Sequence, residues 1–136
     1  MALPSIGGGS QIGDGNLNEI LLRDQPDVQT ATVTATLTVA QITNGMLVGN
    51  PSTTAATYTL PTGAAVDATI SNAKVGSTFD LAIVNLGTST GVITLAPGAG
   101  LTLVGLLTLP TAAAGSSAQL RFRKTGVATW VAYRIA

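Results

Sequence analysis

The side chains able to do acid–base or metal chemistry are few and scattered. The chain has 136 residues and no histidine or cysteine. That removes an imidazole base, a Ser-His-Asp triad, histidine metal ligands, thiolate nucleophiles and any disulfide framework. Six carboxylates remain: Asp14, Glu19, Asp24, Asp27, Asp67 and Asp80. Four crowd into the N-terminal segment, and the other two are separated by a predicted helix and loop. This spacing forms neither the close carboxylate pair of a glycosidase nor a calcium-binding loop. The glycine-rich start, Gly7-Gly8-Gly9-Ser10, fits neither G-x-G-x-x-G nor the P-loop pattern and reads as a flexible stretch. Pro51 occupies the middle of Asn50-Pro51-Ser52 and rules out a glycosylation acceptor there. Arg121, Arg123 and Lys124 form the one basic cluster, and with a formal net charge of zero they read as charge on a strand face. Catalysis is not expected, and no cofactor or metal is implied.

Charge is sparse where a surface normally needs it. Only 9% of residues are charged, mean hydropathy is +0.46, and Val28 to Val66 and Leu81 to Leu120 carry no charge at all. These stretches are not membrane spans. Thr, Gly and Pro interrupt them, and the most apolar piece, Gly98 to Leu109, falls well short of the ~20 residues a spanning helix needs. Either Thr, Ser, Asn and Gln cover the surface, or much of it is hidden against other copies or a larger assembly. Aromatics are only 4%, so Ala, Val, Leu and Thr must do most of the packing. Association is one way to recover the missing burial. Neutral charge argues against general affinity for nucleic acid or an anionic membrane. Met1-Ala2-Leu3-Pro4 lacks the start of a signal peptide, and secretory export is not expected.

The elements that must position these side chains divide the chain in two. Residues 1–28 form a predicted flexible N-terminal arm, and residues 29–136 a β-rich body. In the arm, Asn16 to Asp24 has the makings of one or two helical turns, and Leu17, Ile20, Leu21 and Leu22 want something to pack on. They are the candidate contact of the arm with a neighbouring subunit or partner.

In the body, Thr alternates with Ala31, Val33, Ala35, Leu37 and Val39, which predicts a single strand from Thr30 to Val39. Asn44-Gly45 predicts a turn, Ala56 to Leu60 a strand ending at Pro61, and Thr62 to Ser71 the one short helix, capped by Thr62. Further strands are expected at Thr78–Leu86, Val92–Ala96, Leu101–Val104, Leu106–Leu109, Ala118–Lys124 and Thr129–Ile135. Many short strands with one helix predict an all-β fold: a single antiparallel β-sandwich or jelly-roll-like barrel. A parallel βαβ sheet is not expected, for want of crossover helices.

The last two strands allow a register to be assigned. With Gly126 first in a two-residue turn, Phe122 faces Val131, Leu120 faces Tyr133 and Arg123 faces Trp130. Arg121, Arg123, Trp130 and Arg134 then share one face. Arg and Trp are enriched at contact sites, which makes this face a candidate subunit or partner interface.

Two stretches carry a resemblance. One runs from Ile12-Gly13-Asp14-Gly15-Asn16-Leu17-Asn18-Glu19 into the Thr-rich strand and Asn44-Gly45. The other runs from Val75-Gly76-Ser77-Thr78-Phe79-Asp80 through Val84-Asn85-Leu86-Gly87 and Gly98-Ala99-Gly100-Leu101-Thr102-Leu103-Val104-Gly105 to Arg121-Phe122-Arg123-Lys124-Thr125-Gly126. Together they cover most of the chain. They resemble small virion proteins of tailed bacteriophages, of the head decoration (cement) and head-fibre type. The resemblance implies a homotrimer on the capsid exterior, made in the cytoplasm of the host bacterium and bound to the major capsid protein at three-fold or quasi-three-fold positions. It implies reinforcement of the joints between capsomers. It supplies no functional residue motif. Similar β modules occur in phage tail fibres, and an adhesin that binds a host surface glycan is the alternative expectation. Trp130, Tyr58 and Tyr133 are the aromatics such a site would draw on.

Overall fold

A computed structural model of the chain describes Leu22, residues 24–105, 107–111 and 116–136. Among these residues the strands are β1 (Gln29–Ala31), β2 (Ala35–Thr36), β3 (Met46–Gly49), β4 (Ala56–Thr59), β5 (Thr78–Asn85), β6 (Ile93–Ala96), β7 (Leu101–Val104), β8 (Thr108–Leu109), β9 (Ser116–Gly126) and β10 (Thr129–Arg134). Two short helices, α1 (Val39–Thr43) and α2 (Gly63–Thr69), join them. Strands at the predicted places follow from period-two patterning and from the Gly and Pro that end each run.

The strands form two packed sheets: six strands in the order β1-β3-β5-β9-β10-β7, and four in the order β2-β4-β6-β8. From β1 to β9 the chain alternates between them, one strand in each sheet in turn. Four pairs of strands two apart in sequence are neighbours and run parallel: β1 with β3, β3 with β5, β2 with β4, and β4 with β6. Strand β7 lies at the far edge of the larger sheet, parallel to β10. Only β5–β9, β9–β10 and β6–β8 pair antiparallel among the described residues.

This corrects the expected antiparallel sandwich. A parallel pair needs a crossover, but that crossover need not be a helix. Between β1 and β6 each crossover runs through a strand of the opposite sheet. A jelly roll is built from antiparallel Greek keys, and this pairing departs from it.

The Thr30–Val39 stretch is likewise not one strand. Ala31 ends β1 in the six-stranded sheet, the chain bends at Val33 and Thr34, and β2 begins at Ala35 in the other sheet. The buried Tyr58 secures the crossing, its hydroxyl donating to the carbonyl oxygens of Ala31 and Thr32 at 3.0 and 3.2 Å. Burial pushes that phenol above its ordinary pKa.

The stretch then ends in a second helix that the strand reading missed. The Thr38 side chain caps the Gln41 N–H at 3.3 Å, and Gln41 Oε1 accepts from the Thr38 N–H at 2.8 Å. This is a capping box, and Thr38-x-x-Gln41 is its visible sequence signal. Helix α1 buries Ile42. Helix α2 is capped by Thr62 as expected and buries Val66.

Between the sheets lie Tyr58, Leu60, Leu81, Ile83, Ile93, Leu109, Leu120, Phe122 and Trp130, all nearly inaccessible. Phe79 stacks on Phe122 with centroids 4.7 Å apart and meets Trp130 at a tilt. Asn85 is the one buried polar side chain among the described residues. Its amide directs two protons among the carbonyls of Gly91, Leu109 and Pro110, and its oxygen accepts the Gly87 N–H at 2.7 Å.

Candidate functional site

The six-stranded sheet has one face against the core and one turned away from it. On β5, Leu81 and Ile83 point inward, while Thr78, Asp80, Ala82 and Val84 point outward. Strand β9 sends Ala118, Leu120 and Phe122 inward and Gln119, Arg121 and Arg123 outward. On β10, Trp130 and Ala132 point inward, and Val131 and Tyr133 outward. The register lines these outward residues into rows: Asp80, Arg121, Tyr133 and Val104 in one, Thr78, Arg123, Val131 and Thr102 in the next. Further along, Met46 and Ala82 stand beside Gln119, and Val48 and Val84 beside Ser117. The outward positions are half-buried or exposed, where the inward ones are sealed.

One charge pair marks the middle of this face. Arg121 Nε and Nη2 donate to Asp80 Oδ1 and Oδ2 at 2.8 and 2.9 Å, a two-pronged contact. These hydrogen bonds hold the Asp80 carboxyl below its usual range and raise Arg121 above its own. Both side chains stay largely solvated, so the pair orients the face more than it stabilises the fold. Apolar groups surround it: Val131, Tyr133 at 37% exposure and Val104 at 45%.

The expected face of Arg121, Arg123, Trp130 and Arg134 does not exist as such. The true partners are Phe122 with Ala132, Tyr133 with Arg121, and Val131 with Arg123, one residue off the expected register. A one-residue slip moves a whole strand's side chains to the opposite face. Trp130 is therefore 1% exposed in the core, and Tyr133 takes its place outside. Arg134 stands opposite Leu120 and reaches the Thr108 carbonyl at 3.5 Å, away from Arg121 and Arg123. Only Arg121 and Arg123 remain together on the outward face.

The slip traces to the turn between β9 and β10. The positive φ of the hairpin falls on Ala128 (51°), not on Gly126, and the pairing is irregular between Thr129 and Trp130. Nothing in an alanine's chemistry favours that region, so tertiary contacts must hold it. Asp67 of α2 accepts the Ala128 N–H at 2.8 Å. The Ala128 carbonyl presses on Gly63 and Gly100, where a Cβ would lie 2.1 and 2.3 Å from that oxygen.

The same Asp67 accepts the Trp130 indole N–H at 2.8 Å and pairs with Lys124 at 3.0 Å. The Ala128 amide first, then Lys124 and Trp130, hold its carboxyl below the ordinary carboxylate range. Beside this knot lies a small cavity of about 210 Å³, lined by Ile70, Asn72, Ala73, Ser77, Thr78, Phe79 and Trp130.

No protein-family model, curated protein or solved structure matches this chain.

Among the described residues, no three acidic side chains gather where a metal ion could be held, and no helix is long and apolar enough to cross a membrane. Of the arm residues, Leu22 is 83% exposed, while Leu17, Ile20 and Leu21 lie outside the described residues. The glycan candidates fare unequally. Trp130 and Tyr58 are buried, and Tyr133 alone reaches the surface.

Proposed function

We propose that the chain is a structural virion protein of a tailed phage: a homotrimeric decoration or cement protein that binds the outer shell at three-fold or quasi-three-fold positions and stabilises it. The observation that carries this reading is the outward face of the six-stranded sheet, where exposed Tyr133 and Val104 and half-buried Val131 stand around the Asp80–Arg121 ion pair. A face that mixes apolar groups and arginine suits protein contact. The sparse charge of the chain and the resemblance to head decoration proteins point the same way. Many weak contacts at repeated shell positions add up to firm attachment without any single strong anchor.

Co-sedimentation of purified protein with undecorated heads tests this. Saturation at three copies, or a multiple of three, per repeated shell position is expected. Heads that gain resistance to heat on binding would establish cementing. Absence of binding would overturn the reading.

A tail-fibre or adhesin module that binds a host glycan is the second reading. It draws on Tyr133, the one exposed aromatic among the described residues. A glycan-array signal removed by Tyr133→Ala would favour it.

A further inference from the structure

The charge of this chain is divided, though its sum is zero. Residues 1–27 carry one cation, Arg23, against Asp14, Glu19, Asp24 and Asp27, a net charge of −3. Residues 28–136 carry Lys74, Arg121, Arg123, Lys124 and Arg134 against Asp67 and Asp80, a net charge of +3. The acidic part is also the part with a compact apolar run, Leu17 and Ile20 to Leu22. The basic part presents Arg121 and Arg123 on an outward face that mixes them with Val131, Tyr133 and Val104. Opposite charge and shared apolar character make the two surfaces complementary.

The described end of the acidic segment stays uncovered on its own body. Gln25 ties it to the start of β3, where its side-chain amide donates to the Asn44 carbonyl. Residues 24–28 are exposed, and Leu22 is 83% exposed. Residues 14–23 extended span about 33–36 Å. A six-stranded sheet is about 24 Å wide, so this length is enough to leave one body and cross the face of another.

We infer that residues 14–22 of one copy dock on the outward face of the six-stranded sheet of a second copy, with Glu19 toward Arg123 and Ile20 to Leu22 over Val131 and Tyr133. This rests on the homotrimer proposed above and names what joins it. An arm of one copy on the body of the next is a heterologous contact, which closes into a ring when the rotation allows. Three copies make such a ring.

The absence of cysteine makes the test clean. In the full-length Ile20→Cys, Tyr133→Cys double variant, mild oxidation of purified protein without heads should give covalent trimers. Either single variant can go no further than a dimer. A fast-migrating monomer, linked within one chain, would overturn docking between copies. Absence of any link in a protein that is trimeric by native mass would overturn the arrangement and leave the decoration reading to the head-binding assay.

Charge reversal supplies a second readout. Arg123→Glu should weaken trimer formation at least about tenfold in native mass measurements. Adding Glu19→Arg should restore it. A reversal with no effect, or one not rescued, would count against the Glu19–Arg123 contact, and circular dichroism would confirm that both variants fold.

Discussion

The Asp67 carboxylate in α2 accepts the indole N–H of Trp130, 63 residues later, at 2.8 Å. That bond ties the helix to the β9–β10 hairpin and turns the Trp130 ring toward Phe79 and the core. The other carboxylate oxygen holds the Ala128 N–H, which fixes the turn and with it the register of the last strand. Together with Gly63 and Gly100 beneath the Ala128 carbonyl, Asp67 thus sets which residues of β10 face outward.

Acid should weaken the fold through this group. The pKa of Asp67 is depressed in the folded state, so its contribution is complete above the unfolded value of about 3.9 and is lost as pH falls through the folded value. Asp80 has the same sign. Thermal melts from pH 7 to pH 2 should show the midpoint falling below about pH 4. Asp67→Asn should lower the midpoint at pH 7 and flatten that acid limb. An unchanged limb would place the sensitivity elsewhere.

Trp130 is the largest side chain sealed in the core. Trp130→Ala should cost about 3–5 kcal/mol in denaturant unfolding. The native indole, the only one in the chain, should emit at short wavelength and resist quenching by iodide. Ready quenching would place it outside.

Asn85→Ala would leave the Gly87 N–H and up to two of three carbonyls without their buried partner. Each loss costs about 1–3 kcal/mol, so the sum should reach about 3 kcal/mol or more. Arg121→Ala, which breaks a solvated pair, should cost far less than Asn85→Ala. Equal losses for the two would contradict this ranking.

Thr38→Ala removes one half of the capping box of α1 and should cost about 1 kcal/mol. In a cycle with Gln41→Ala the two losses should fall short of adding, since each side chain serves the other's backbone. Full additivity would mean that the box does not act as a unit.

Most element positions were legible in the sequence, because their causes are local. Alternation placed β5 and β9, Pro61 ended the stretch of β4, Thr62 announced α2, and Asn44-Gly45 preceded β3. The capping box at Thr38 was equally local and was hidden only by the alternation running through it. The polar outward positions Arg121 and Arg123 were also legible, since Leu120 and Phe122 alternate with them.

What the tertiary structure decided is everything that depends on a distant partner. Period two says that residues 30–39 are extended, but not that the chain changes sheets at Val33 and Thr34, a bend secured by Tyr58 from β4. Patterning carries no strand direction either, so strands serving as crossovers for parallel neighbours could not be seen. The exchange of Trp130 for Tyr133 on the outward face came from one residue of register. That register depends on Asp67, Gly63 and Gly100, which lie far from the hairpin in sequence and meet it only when the chain is folded.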